Sequence, residues 1–339
     1  MPVLNTTKLI NNRVQAIQKL HVDAGLERAE LDVSGGIDSA TMLMLLAEAL
    51  GPENVTAVYS SINSSEASLH RARLAAEAAG VRLVELDLSD IVQSINDEIA
   101  DKLYAAGYEP KEISDRIMAD PQIEGSFRSC IRAPIGRYLN RVTGGGIRHG
   151  TGNEDEDRWL RFYQKGGDGE VDTNPLAMLS KGEVYQLANA LNVPREIIEA
   201  TPTPDLWGVG DAHNDEEELT KLSGVEWTYS RINPDTGEYT RVGTIERMSR
   251  VLDLKIYEPL VIGDMPTVGD VLFWRHPMPH VDTWERIVER TPGLTPDHFE
   301  SAQKWERATR HKENPNCPSL GSRQELLDAG ILTNELPEV

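Results

Sequence analysis

Between residues 29 and 107 the sequence alternates three times between a short apolar run and a longer helical segment, and this alternation constrains the fold most. The apolar runs read "AELDVS", "NVTAVYS" and "VRLVELDL". Strands that alternate with helices in this way are joined by crossover connections, which make the strands parallel and cover both faces of their sheet with helices. We therefore expect an α/β, Rossmann-like fold built on a parallel sheet.

The same kind of pattern predicts elements on either side of this region. An apolar stripe from Leu9 to Leu20 indicates an amphipathic helix before the first strand. Helices are expected over about 127 to 142 and 180 to 191, with a strand in "GIRHGTGN" between them. Beyond about residue 230 the periodicity loosens, so we expect a C-terminal elaboration of the same domain.

The acidic composition argues against one class of partner. The chain has 55 Asp and Glu residues against 34 Lys and Arg residues, a formal net charge of -21. Because proteins that bind nucleic acids draw their affinity from clustered Lys and Arg side chains, we expect no nucleic-acid partner.

Cysteine usage and the N-terminus restrict the location of the protein. Its two cysteines, Cys130 and Cys317, are too few and too far apart for a disulfide framework or a Cys-x-x-Cys site. The N-terminal "MPVLNTTKLINNR" lacks the pattern of a signal peptide, and no run approaches the roughly 18 apolar residues of a membrane span. We expect a cytoplasmic protein with no membrane partner.

The first predicted strand runs into "SGGIDS", from Ser34 to Ser39, at the start of a helix. Adjacent glycines let backbone N–H groups face an anion, and the helix start carries partial positive charge. The segment lacks both the lysine of a P-loop and the glycine spacing of a dinucleotide-binding motif. Asp38 suits an anion site if it holds a metal ion that in turn binds phosphates. The segment therefore predicts a phosphate site of another kind.

Two sets of residues resemble a known family. Ser-Gly-Gly-x-Asp-Ser after a strand resembles the pyrophosphate-binding loop of the N-type ATP pyrophosphatases. The later segments "HGTGNEDEDRW", "KGGDGEVD", "NPLAMLSK" and "ATPTPDLW" resemble one branch of that superfamily, the NAD synthetases, and "ATRHKENP" is similar to the closing segment of that branch.

The resemblance implies a domain layout and an activity. Residues 1–232 would form the ATP pyrophosphatase domain, residues 233–303 an insertion packed on it, and residues 304–339 a tail that returns to the active site. The implied enzyme is a homodimer that adenylates deamido-NAD with ATP and Mg²⁺ and then amidates it with ammonia. Because the phosphate loop begins by residue 34, we expect no preceding glutaminase domain and free ammonia as the nitrogen donor.

Carried over by position, the resemblance implies roles at the ATP site. The implied ATP-binding residues are Ser34, Gly35, Gly36, Asp38, Ser39, Thr151, Lys181 and Thr203. Arg132 is a further candidate, because "FRSCIRAPIGRY" replaces the usual Arg-x-Arg pattern of the family. Asp38 and Glu156 are the implied Mg²⁺ ligands, although counting back from Lys165 selects Asp157 because one residue is extra here.

The resemblance also implies roles toward the acceptor. The implied deamido-NAD-binding residues are Lys165, Asp168, Asp172, Asp205, His311 and Lys312. Lys181 and Asp38 would act at the phosphates, and we add the hypothesis that Asp168 takes the proton that the attacking amine loses.

Two other functions stay open. The adenylation could serve a different carboxylate acceptor or a tRNA base, although the net charge of -21 opposes the tRNA version. A nucleotide-binding regulator without catalytic activity would tolerate the loss of Asp38 and of both Glu156 and Asp157, yet the sequence keeps all three.

Overall fold

A computed structural model of the protein describes residues 5–120, 122–203, 214–253, 291–309, 312 and 322–336. Four parallel strands form its main sheet, in the order β3-β2-β1-β4. The strands are β1 (Ala29–Asp32), β2 (Val55–Ser61), β3 (Arg82–Asp87) and β4 (Ile147–His149). Leu31 lies opposite Ala57 of β2 on one side and His149 of β4 on the other.

The strand order reverses at β1. The chain moves outward from β1 through β2 to β3, and then returns to the opposite side of β1 as β4. In open α/β sheets a ligand binds outside the carboxyl ends of the strands at such a reversal. The "SGGIDS" loop follows β1 and therefore lies at this position.

Helices surround the sheet. They are α1 (Thr6–Ala24), α2 (Ile37–Leu50), α3 (Glu66–Ala79), α4 (Ser89–Ala105), α5 (Pro110–Ala119), α6 (Gln122–Val142), α7 (Lys181–Ala190), α8 (Arg195–Glu199), α9 (Asp215–Ser223), α10 (Thr244–Asp253), α11 (Pro296–Thr309) and α12 (Arg323–Asp328). An antiparallel hairpin of β5 (Arg231–Ile232) and β6 (Tyr239–Arg241) precedes α10.

Two apolar clusters flank the sheet. Helices α1, α2, α3 and α7 bury the larger one, which includes Leu31, Leu43 and Val184. A smaller one, with Ile62 and Val92, packs against α6, which contacts β1 and β2. Burial of such side chains stabilises the fold by about 1.5 to 3 kcal/mol each. The predicted α/β fold with a parallel sheet is confirmed.

A third apolar cluster contains side chains from the later part of the chain. Leu160 packs with Trp227, Ile245 and Phe299, so α10 and α11 cover the segment that follows Glu156. No helix in the described ranges is both long and apolar enough to cross a membrane.

Candidate active site

The loop between β1 and α2 has a backbone that requires glycine. Gly35 has a φ of +83°, in the left-handed region, and a Cβ there would lie 2.3 Å from the carbonyl oxygen of Ser68. The loop therefore passes so close to α3 that a side chain at this position is excluded. Arg71 of α3 donates to the carbonyl of Gly35 over 3.1 Å and fixes the loop from the same side.

The start of α2 offers a polar cradle. Gly36 is its N-cap, and no side chain of the described residues caps it. The hydroxyls of Ser34 and Ser39 lie 3.2 Å apart beside it. A helix N-terminus with unpaired N–H groups and a favourable dipole is a natural site for a phosphate.

Lys181 lies between two carboxylates. Its Nζ donates to Asp38 over 2.5 Å and to Glu156 over 2.8 Å, and its side chain is only 3% exposed. Asn153 donates to the other oxygen of Asp38 over 3.0 Å. Burial by itself would lower the pKa of Lys181, but the charges of Asp38 and Glu156 outweigh it and hold the pKa well above its ordinary value. The side chain is therefore a fixed cation.

The start of α7 explains why Lys181 is held there. Ser180 caps the helix and forms a capping box with Glu183. The backbone N–H of Lys181 donates to Asp155 over 2.9 Å. Both the main chain and the ammonium group of this residue are thus bound by acidic side chains.

The structure separates Glu156 from Asp157. Glu156 points to Lys181 and lines the cavity, whereas Asp157 accepts a hydrogen bond from Asn174 over 2.6 Å. Residues Glu156–Leu160 form a turn of π-helix, which accommodates one more residue than an α-helical turn. The turn lies in the segment between Thr151 and Lys165 where the two counts disagree by one residue.

Asp38 and Glu156 suit a magnesium ion shared with phosphates. Mg²⁺ typically binds one or two carboxylates and completes its shell with water and phosphate oxygens. Asp38 and Glu156 both line the cavity, and each is bound to Lys181 through one oxygen. No set of three or more His, Cys, Asp or Glu residues in the described chain could hold a metal. The donor set therefore fits an ion that arrives with a nucleotide.

A cavity of about 610 Å³ opens at this point. Of the residues predicted from the sequence, it brings together Ser34, Gly35, Gly36, Asp38, Ser39, Arg132, Thr151, Glu156, Asp168, Lys181, Thr203 and Lys312. Arg132 also donates to the carbonyl of Ser60 over 3.0 Å, which fixes α6 to the end of β2.

The predicted acceptor residues are distributed differently. Asp168 accepts from Ser129 over 2.5 Å and from the backbone of Gln164 over 2.9 Å at the cavity edge. Lys165 and Asp172 are not among the described lining residues, and Asp172 pairs with Arg137 over 2.8 Å. Asp205 and His311 lie outside the described residues.

Some lining residues were not predicted. Asp215, at the start of α9, lines the cavity and is 8% exposed, and burial raises its pKa to about 7. The acidic run "NDEEE" signals a helix start but does not distinguish this carboxylate from its neighbours. Phe162 and Trp305 also line the cavity, and only the tertiary fold brings them together.

Comparisons with known proteins place the chain in a family. A family model described as NAD synthase matches residues 9–230. The NH(3)-dependent NAD(+) synthetase of Trichlorobacter lovleyi is 34% identical over 253 residues, which cover 73% of this chain and 84% of that protein. Its counterpart in Methanocaldococcus jannaschii is 30% identical over 213 residues, 62% of this chain and 75% of that one. A solved NMN synthetase from Francisella tularensis shares the fold, with a TM-score of 0.62 at 18% identity over 92% of this chain and 97% of that chain.

Proposed function

Because this chain belongs to the NAD synthase family, we propose that it is an ammonia-dependent NAD synthetase. It is an ATP-dependent ligase that forms a carbon–nitrogen bond. ATP first transfers AMP to the carboxylate of deamido-NAD and releases pyrophosphate. Ammonia then displaces AMP to give NAD.

The observation that carries this proposal is the position of Lys181. Its ammonium group forms ion pairs with Asp38 and Glu156 at the edge of the cavity. Asp38 lies in the first turn of α2, which follows the phosphate loop, and Glu156 lies on the turn after β4. A regulator that only binds nucleotide has no need of a buried cation between two carboxylates beside the phosphate loop. A ligase does, because transfer at the α-phosphate develops negative charge that a fixed cation stabilises.

In the first step a carboxylate oxygen of the acceptor attacks the α-phosphorus, and the bond to the bridging oxygen of pyrophosphate breaks. The start of α2 and the hydroxyls of Ser34 and Ser39 hold the leaving phosphates. Lys181 balances the charge that develops on the α-phosphate. Mg²⁺ held by Asp38 and Glu156 would supply further charge stabilisation to the phosphates when bound.

In the second step ammonia attacks the acyl carbon, and AMP leaves with the oxygen that came from the carboxylate. The nitrogen must lose a proton as the amide forms. We assign its acceptance to Asp168, which lies at the cavity edge with two hydrogen bonds to hold its orientation. Thr151, Thr203 and Arg132 are assigned to ATP, and Lys312 to the acceptor side.

A homodimer and a cytoplasmic location belong to the same proposal. Large apolar side chains are exposed on α4 and α5, namely Ile91, Ile99, Tyr104 and Met118. Association covers exposed apolar surface, and pairing of two copies through α4 and α5 would cover these side chains. Light scattering should give a mass of twice the 37.6 kDa of one chain. Met118→Glu should lower the measured mass toward that of a single chain.

One observation favours a second candidate, the same ligation with a different carboxylate acceptor. Lys165 and Asp172, which the resemblance assigns to deamido-NAD, are not among the described cavity residues. Residues of α11, beyond the matched range 9–230, take part in the lining instead.

The test is an assay with purified protein, ATP, Mg²⁺, ammonium and a panel of acceptors, with amide, AMP and pyrophosphate measured together. The panel contains deamido-NAD, nicotinic acid mononucleotide, nicotinic acid and aspartate. We expect NAD, AMP and pyrophosphate in equal amounts from deamido-NAD, and no product when glutamine replaces ammonium. Amide from another acceptor alone would select the second candidate, and no pyrophosphate with any acceptor would contradict both.

A further inference from the structure

Arg71 is a cationic side chain at the phosphate loop to which none of the proposed roles assigns a ligand. It lies on α3, about one turn after Ser68, and lines the same cavity as Ser34, Gly35 and Gly36. Its Nε donates to the carbonyl of Gly35 over 3.1 Å, which places the guanidinium group beside the loop. The side chain is half-buried, so solvent screens its charge less than that of an exposed arginine.

Most of the binding capacity of this guanidinium group is unused. Within the described ranges Arg71 forms no ion pair with a carboxylate, and of its nitrogens only Nε donates a hydrogen bond. The two terminal nitrogens therefore keep their N–H groups for a ligand. Arginine presents these groups as a planar fork that matches two phosphate oxygens at once.

The charges around the loop favour a second cation for a bound triphosphate. Lys181 is paired with both Asp38 and Glu156, so its positive charge already faces two carboxylates before any ligand binds. A triphosphate adds further negative charge, which cations at short range stabilise. Arg71 adds a positive charge at the loop that no carboxylate of the described residues neutralises.

The order of the strands places Arg71 and Lys181 on opposite sides of the loop. β1, which leads into the loop, lies between β2 and β4. Arg71 belongs to the helix that follows β2, whereas Glu156 and Lys181 follow β4. Phosphates bound at the start of α2 would therefore lie between the two cations.

We propose that Arg71 binds the pyrophosphate that leaves ATP, through oxygens of the β- and γ-phosphates. The inference rests on the proposed function, in which Lys181 acts at the α-phosphate. Attacking and leaving oxygens lie roughly in line in such a transfer, so the leaving phosphates point away from the acceptor and toward α3. Because Arg71 also holds the carbonyl of Gly35, one side chain fixes the loop and binds the phosphates that the loop holds.

The test compares two substitutions of Arg71 with one of a neighbouring arginine. Arg71→Gln removes the charge but keeps an amide N–H group that can donate to the Gly35 carbonyl, whereas Arg71→Lys keeps the charge and loses the planar fork. Arg73→Gln is the matched control, because Arg73 lies on the same helix in an exposed pair with Glu85. Calorimetry measures the binding of pyrophosphate with Mg²⁺, and of AMP, to each protein without any acceptor. Thermal midpoints show whether each variant is folded.

We expect Arg71→Gln to weaken pyrophosphate binding about 10- to 100-fold, because hydrogen bonds between two charged groups are lost. Arg71→Lys should weaken it by less, about 3- to 10-fold, since the charge remains without the fork. The affinity of both variants for AMP, which lacks the leaving phosphates, should stay within about 2-fold of the wild type, as should pyrophosphate binding by Arg73→Gln.

Four results would overturn the proposal. They are unchanged pyrophosphate binding in Arg71→Gln, equal losses in the Gln and Lys variants, an equal loss of affinity for AMP, and an equal loss in Arg73→Gln. The second would leave Arg71 only a structural support of the loop, and the fourth would reduce its effect to the net charge of α3.

A measurement on the wild type decides the question if the Arg71 variants fail to fold. Phenylglyoxal modifies accessible arginines, and mass spectrometry of peptides locates the modified residues. Pyrophosphate must slow the modification of Arg71 and leave that of Arg73 unchanged; equal rates at Arg71 with and without pyrophosphate would contradict the proposal. Because these experiments contain no acceptor, a wild type that binds pyrophosphate through Arg71 but makes no NAD would refute the proposed function alone.

Discussion

At the residue scale, Lys181 is the side chain on which the account depends. It is a buried cation with two carboxylate partners at the cavity edge. We expect Lys181→Ala to lower the turnover of NAD formation by at least ~10²-fold, because one fixed charge that stabilises the transition state is lost.

Lys102→Ala is the matched control, since Lys102 forms an exposed pair with Glu98 on α4. It should keep wild-type turnover. Circular dichroism must show that both variants are folded. A folded Lys181→Ala protein with unchanged turnover would remove this residue from the mechanism.

A buried histidine pair makes stability depend on pH. Nε2 of His21 lies 3.0 Å from Nε2 of His149, and Nδ1 of His21 lies 2.8 Å from the carbonyl of Leu26. His21 must donate from Nδ1, so its Nε2 accepts the N–H of His149. A further proton would break this arrangement. Burial and the neighbouring ring accordingly lower the pKa of His149 to about 3.

Because the folded pKa lies below that of the unfolded chain, the stabilisation is complete above about pH 6.5 and is lost as the pH falls toward 3. We expect the free energy of unfolding to decrease by about 2 to 3 kcal/mol between pH 7 and pH 4.5 from this residue. Urea unfolding across this range should show a smaller decrease for His149→Gln. His70→Gln, at an exposed histidine, should match the wild type. The same decrease in the free energy of unfolding for all three proteins would show that His149 does not cause the pH dependence.

Most of the residues predicted to bind ATP line the same cavity, because they belong to short segments of fixed spacing that the family resemblance could place. Asp38 was singled out in the loop and Lys181 by the family resemblance, and the two side chains are in contact. Glu156 and Asp157 could not be separated by counting, because a π-helical turn changes the phase locally. Trp305 had no such signal, since its approach to Phe162 depends on where α11 packs.

At the scale of elements, the backbone of the phosphate loop at Gly35 lies directly against the backbone of α3 at Ser68. We expect Gly35→Ala to raise the KM for ATP by at least about 10-fold, because the added Cβ would lie 2.3 Å from the Ser68 carbonyl and must displace the loop. Gly107→Ala is the control, since Gly107 has a similar φ of +93° with nothing near its Cβ position. It should cost about 1 to 2 kcal/mol of stability and leave the KM unchanged. Equal KM values for both variants would show that the loop tolerates the side chain.

A buried ionic network connects α7 with elements beyond the family match. Arg323 of α12 donates to both oxygens of Glu183 over 2.7 and 2.8 Å, and Arg250 of α10 lies 3.2 Å from the same carboxylate. Glu183 also belongs to the capping box of α7, the helix that begins with Lys181. The C-terminal elements therefore support the helix start that holds the central cation.

Removing one partner from such a network leaves a buried charge uncompensated, which typically costs about 3 to 5 kcal/mol. Arg323→Met should lower the free energy of unfolding by this amount in a denaturant titration. Arg116→Met, which breaks an exposed pair with Glu112, should change it by less than about 1 kcal/mol. If the two variants are equally stable, the network does not support α7.

Local patterns predicted elements better than they predicted this network. The helix predicted over about 180 to 191 agrees within one residue at each end with α7, Lys181–Ala190. The predicted helix over 127 to 142 begins earlier, at Gln122, because its first turns are polar and carry no apolar period. The pairing of Arg323 with Glu183 spans 140 positions of sequence, so no local pattern reports it.

At the scale of the whole molecule, the order of the strands determines where the chemistry occurs. Alternating strands and helices predicted a parallel sheet, but not that β4 would return beside β1. This reversal brings Glu156, on the turn after β4, next to the loop after β1, a separation of more than 100 residues along the chain. The packing of α10, α11 and α12 around the site follows from tertiary contacts that the loosened pattern beyond residue 230 did not reveal.

The central claim, that an acceptor carboxylate is adenylated and then amidated, is tested most directly by an oxygen label. Deamido-NAD with both carboxyl oxygens replaced by ¹⁸O is incubated with the enzyme, ATP, Mg²⁺ and ammonium, and the products are analysed by mass spectrometry. Adenylation followed by amidation leaves one ¹⁸O in the phosphate of AMP and one in the amide of NAD. Unlabelled AMP, or label in inorganic phosphate released with ADP, would contradict it.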